Sequence, residues 1–138
     1  MVELNQWHRG RLIDHIQIVV ADLPACRRFY GAVFEALGVP LTDGTGYFFC
    51  DEFFVSAGVP MTGRAHIAFQ ARDEDAVQRF HQAAIANGGR DNGGPGLREY
   101  HPGYYAAFVL DPEGNNIEAV YHGPATRSAP SVVITDDA

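Results

Sequence analysis

The Ile- and Val-rich run from Leu12 to Val20 predicts a strand, and strand alternation puts His15, Gln17 and Val19 on one face and Ile16, Ile18 and Val20 on the other. After Asp22 the period lengthens: Phe29, Val33 and Leu37 recur at helical spacing. Asp22 can cap free amides, Pro24 is tolerated in a first turn and Gly38 supplies a stop, so a helix is predicted from Leu23 to about Leu37. Tyr47 to Cys50 and Phe53 to Ala57 read as two strands joined at Asp51 and Glu52, and Leu41-Thr42 offers a further short one. Gly58 to Gly63 interrupts both periods and reads as a linker. The pattern then restarts with a strand at Ala65 to Gln70 and a helix capped by Asp73 that ends near Asn87. Asp91 to Gly103 is a Gly- and Pro-rich loop. Tyr104 to Leu110 and Asn116 to Tyr121 are strands around the turn Asp111-Pro112-Glu113-Gly114, and Asn116, Glu118, Val120 and His122 share a face.

The restart is a duplication. His15/His66, Ile16/Ile67, Asp22/Asp73, Ala25/Ala76, Arg28/Arg79, Phe29/Phe80, Ala32/Ala83 and Gly38/Gly89 all coincide at one constant offset, and a repeat of this kind outranks single-element reasoning. It implies two strand-plus-helix modules, about 12–57 and 64–123, preceded by an arm at 1–11 and followed by a Pro/Ala/Ser/Thr-rich segment, 124–138, expected to be a mobile tail. Within that tail Val132-Val133-Ile134 has the character of a sheet edge.

Composition narrows the function classes. The 138 residues, 46% of them apolar, suffice for one domain with a real core. Seventeen acidic against ten basic residues, with no lysine, leave no basic patch for nucleic acid. Cys26 and Cys50 have no CxxC context, which argues against a disulfide framework. No apolar run reaches the length of a membrane span and the first residues lack a signal-type core, so a cytoplasmic protein is expected.

The chemistry-bearing residues follow from the repeat. If the modules pack about an approximate two-fold axis, His15 and His66 come together, and Glu118 from the last strand completes a set of two imidazoles and one carboxylate. Such a set leaves coordination positions open on a divalent metal, with zinc, nickel, manganese and iron all compatible. The ordinary alternative is that strand histidines merely hydrogen-bond; His8 and His81 fit that description best. Arg64, Arg98, Tyr104 and Tyr47 are candidates to contact a substrate, and His101 and Tyr105, with Glu118, to move a proton.

Asp14-His15-Ile16, Asp22-Leu23 with Arg28-Phe29-Tyr30, Ala65-His66-Ile67-Ala68-Phe69 and Asp111-Pro112-Glu113-Gly114-Asn115-Asn116-Ile117-Glu118 together resemble the vicinal oxygen chelate superfamily, which includes glyoxalase I, extradiol dioxygenases and bleomycin-resistance proteins. The last stretch is similar to the family's DPxGxxxE pattern. The resemblance implies an α+β fold of two βαβββ modules forming a curved, half-open sheet around a metal cavity, and a homodimer. It places ligands at His15, His66 and Glu118. Glyoxalase I carries a fourth ligand where this chain has Phe53-Phe54-Val55-Ser56-Ala57, so lyase, isomerase and dioxygenase chemistry on a small oxygen-rich substrate all remain open, as does a metal-free drug-binding protein stacking its ligand on Tyr47, Phe49, Phe54 and Tyr104.

Overall fold

A computed structural model describes residues 6–136. Gln6–Arg9 forms β1, Ile16–Val20 β2, Leu23–Leu37 α1, Thr42–Gly44 β3, Tyr47–Cys50 β4 and Phe53–Ala57 β5. His66–Gln70 forms β6, Glu74–Ala86 α2, Arg90–Asp91 β7, Gly96–Leu97 β8, Tyr105–Leu110 β9, Asn116–Tyr121 β10 and Val132–Thr135 β11. Both helices start as the sequence predicts: the Asp22 carboxylate accepts from the Ala25 amide at 3.0 Å and the Asp73 carboxylate from the Ala76 amide at 2.7 Å. Gly38 closes α1 in the left-handed region, at φ 77°, where a side chain would be strained. Leu37, expected in the core, is half-buried at its edge.

Each module has its own sheet, βαβββ in the first and the same plan with one extra short strand, β8, in the second. The first has strand order β2-β5-β4-β3, the second β6-β10-β9-β7 with the short β8 also on β9. The opening strand of each module runs parallel to its last, β2 with β5 and β6 with β10, and lies at the end of its sheet. Helix α1 packs on β4 and β5, α2 on β9 and β10, and the helices pack on each other. Cys26, Phe29, Tyr30, Val33 and Phe34 of α1 and Ala76, Val77, Phe80 and Ala84 of α2 thus share one core with the inward faces of both sheets. Gly89 of the second module lies close against α1, since a Cβ there would lie 2.7 Å from the Phe29 ring. Among the described residues no helix packs on the opposite faces of the two sheets.

A buried polar knot fastens α1 to the second module. Asp111, 2% exposed, accepts from the Tyr30 hydroxyl at 2.6 Å, from the Asn115 side-chain and backbone N–H at 2.8 Å each, and from the Glu113 amide at 2.9 Å. Burial pushes the Tyr30 hydroxyl pKa well above its usual value. Asn115 also accepts from the Ala65 amide at 2.9 Å, so the Asp111 turn fixes the backbone just ahead of His66. The segment expected to be a tail contributes β11, which pairs antiparallel with β1, Trp7 opposite Ile134.

Among the described residues no helix is long and apolar enough to cross a membrane. Cys26 and Cys50 are free and buried, and burial pushes the Cys26 thiol up to about 12 and the Cys50 thiol further. Because the thiolate is the nucleophile, both should react with a disulfide reagent at pH 8 on the order of 10³-fold more slowly than in unfolded chain. Labelling measured with and without denaturant checks this; fast labelling of the folded protein would contradict their burial.

Candidate functional site

Parallel pairing of β6 with β10 sets His66 beside Asn116 and Ala68 beside Glu118, so alternation directs His66 and Glu118 to the same open face. His66 Nε2 lies 2.8 Å from Glu118 Oε1. The Glu118 side chain is only 3% exposed although His66 beside it is 52% exposed. A buried carboxylate needs partners, and Glu118 has them: the Tyr104 hydroxyl donates to Oε2, while a carboxylate facing Nε2 requires that nitrogen to carry the hydrogen. Desolvation first, and then this bond to Glu118, push the Tyr104 pKa up to about 12.

Tyr104 is braced from behind. Its ring stands edge-on to His101 at 5.3 Å, to His122 at 5.5 Å and to Tyr100 at 5.0 Å. The two imidazoles are joined, His101 Nε2 to His122 Nδ1 at 2.9 Å, and their rings are inclined by only 20°. His101 Nδ1 lies 2.8 Å from the Pro102 carbonyl, which can only accept. In its neutral form His101 therefore carries its hydrogen on Nδ1 and receives the His122 Nδ1–H on Nε2.

His15 stands elsewhere. It precedes β2, on the other sheet, with Nδ1 2.7 Å from Asp14 and a side chain 61% exposed. That contact holds the Asp14 carboxyl below its usual range, Arg9 adding to the effect. Among the described residues no group of three His, Cys, Asp or Glu side chains is arranged to hold a metal ion. Among the described residues of one chain His15 does not join His66 and Glu118 in such a group: β2 and β6 lie in separate sheets, and the modules pack through their helices.

The other expected residues divide. Tyr104 is in the site. Tyr105, one position on, faces α2, where its hydroxyl accepts from Gln78 at 3.1 Å, because strand alternation turns it away from Glu118. Arg98 is spent on its own loop, donating to the Gly94 and Gly96 carbonyls at 2.8 Å each while its guanidinium lies over the Phe108 ring. Arg64 lies against Gly114 and lines a groove with Val19, Met61 and Glu113. Tyr47 is on the first sheet, stacked with Phe54. The sequence left His101 and His122 open as contacts near the cavity because they flank its expected strands, but the Tyr104–Glu118 bond and the direct His101–His122 contact were not foreseen.

Residues 12–119 match the model of the Glyoxalase/Bleomycin resistance protein/Dioxygenase superfamily. No curated protein matches the chain. Among solved structures, a glyoxalase/bleomycin resistance protein from Albidiferax ferrireducens T118 is 28% identical over 79% of this chain and 98% of its own, with a TM-score of 0.70. A glyoxalase-related enzyme from Fulvimarina pelagi is 22% identical over 90% of this chain and 97% of its own, with a TM-score of 0.66. The fosfomycin resistance protein FosX from Mesorhizobium loti shares the fold at 17% identity, covering 80% of this chain and 91% of its own, with a TM-score of 0.55.

Proposed function

Since the chain belongs to the Glyoxalase/Bleomycin resistance protein/Dioxygenase superfamily, we propose that it is a metal-dependent enzyme of the lyase, isomerase or dioxygenase kind, acting on a small oxygen-rich substrate. The observation that carries this reading is the buried Glu118 carboxylate converging with His66 Nε2 at 2.8 Å on an open sheet face. One imidazole and one carboxylate suit zinc, nickel, manganese or iron, and the hydrogen between them is the one a cation displaces. The third ligand would be His15 of a second copy. Supporting this are the edge positions of β2 and β6, each the last strand of its sheet among the described residues, and the equivalent places of His15 and His66 in the repeat. Two copies exchanging these edges join the open face of one module to that of the other, and the protein is a homodimer.

A bound divalent cation supplies Lewis acidity toward a carbonyl or enediolate oxygen. The chain supplies the rest. Glu118 is held by Tyr104, whose hydroxyl donates to it, and the His101–His122 pair stands against the Tyr104 ring. Tyr105, on the helix side, takes no part.

Elemental analysis of untagged protein is expected to find about one divalent metal ion per chain, with His66→Ala and Glu118→Gln each losing it. A folded wild-type protein that stays metal-free under every loading condition would sink this reading and favour a metal-free binder of planar drugs. The aromatic rings of the first sheet suit such a binder, but it has no need of a buried carboxylate.

A further inference from the structure

On the open face of the first sheet three aromatic rings form one near-parallel patch. Phe49 and Phe54, directly opposite in the ladder, are inclined by 8° at 6.0 Å; Tyr47 lies 5.0 Å from Phe54 at 17° and 6.4 Å from Phe49 at 19°. None of the three belongs to the core: Phe49 and Phe54 are half-buried and Tyr47 is 36% exposed. Near-parallel rings outside the core offer a stacking surface. The patch is also built: Tyr47 lies across Gly44, where a Cβ would come within 2.1 Å of the ring, so glycine leaves room for the ring to lie down over β3.

The patch has a polar end. Gln17 donates to Ser56 at 3.0 Å beside it, and an open cavity of about 280 Å³ is lined by Arg9, His15, Gln17 and Asp51 together with Phe49 and Phe54. An apolar cavity of roughly 150 Å³ suffices for benzene, so this one has room for a substituted ring.

We propose that the substrate carries one aromatic ring, seated against Phe54 and Phe49, with its oxygen-bearing head at the His15 end. The position of the head rests on the metal reading above; the ring seat does not. A flat unsaturated ring gains offset stacking that a saturated ring of similar area lacks.

The test is calorimetric titration of the metal-loaded protein with mandelate, with its saturated-ring analogue hexahydromandelate, and with lactate, which keeps the head and drops the ring. Mandelate is expected to bind about 3- to 10-fold more tightly than hexahydromandelate. Phe54→Leu should erase that preference and Gly44→Ala should lower it, both leaving lactate unchanged. Phe54 is half-buried and Gly44 exposed, so at least one of these variants keeps the fold. His66→Ala should weaken all three ligands alike and keep the preference. Equal binding of mandelate and hexahydromandelate, or a preference that survives both Phe54→Leu and Gly44→Ala, overturns the ring seat. A preference that persists while His66→Ala leaves lactate binding intact upholds the ring seat and removes the metal reading alone.

Discussion

Chains carrying His15→Ala and chains carrying His66→Ala, each expected to be metal-free when purified alone, should regain metal when unfolded together and refolded as a mixture. The reason is geometric. If each site takes His66 and Glu118 from one copy and His15 from the other, a mixed dimer places both substitutions in one site and leaves the second intact. Random pairing makes about half of the dimers mixed, so the mixture should hold about a quarter of a metal ion per chain against about one in the wild type. A site assembled within a single chain gives no recovery, since every chain lacks one ligand. Elemental analysis of the refolded dimer fraction reads the difference. A mixture as empty as its parents would remove the two-copy site, and metal retained by either variant alone would remove the substituted residue as a ligand. The experiment does not depend on knowing the substrate.

Asp111→Ala should be the most destabilising single substitution outside the site. It removes the acceptor for four donors, the Tyr30 hydroxyl, the Asn115 amide and side chain, and the Glu113 amide, in a place where Asp111 is 2% exposed. Stripping the partner from buried donors costs about 3–5 kcal/mol, a large part of the 5–15 kcal/mol that holds an ordinary domain. The expected fall in Tm is on the order of 10–20 °C. Tyr30→Phe removes one of the four bonds and should cost about 1–2 kcal/mol. Paired denaturation curves settle the point: a Tyr30→Phe variant as unstable as Asp111→Ala would mean that the ring's packing, and not the shared acceptor, fastens the modules.

The duplicated strand and helix were legible because each local rule pointed the same way. Asp22 and Asp73 cap their helices, alternation gives the correct faces for β6 and β10, and the Asp111 turn lies where the sequence puts it. What the chain could not disclose is which surfaces meet. Periodicity says that His15 and His66 lie on open faces, but the same pattern serves a sheet that closes within one chain and one that closes between two. Tyr105 was favoured over its neighbour because a strand predicted to start at Tyr104 and observed from Tyr105 carries no mark of which tyrosine reaches Glu118. Arg98 looked free for a ligand because its partners are the backbone carbonyls of Gly94 and Gly96, which no residue pattern advertises. Val132 to Ile134 read as sheet-forming, yet its partner strand lies more than a hundred residues away.

The β1–β11 ribbon closes the molecule into a ring of chain. Arg9 sits opposite Val132 and Gln6 opposite Thr135, so the outer ends of the two modules are fastened to each other as directly as their inner ends are by the 58–65 linker. The order in which the two copies of the repeat are synthesised is then immaterial to the architecture: bridging the ribbon and cutting the linker would yield the same pair of sheets read from the second module first.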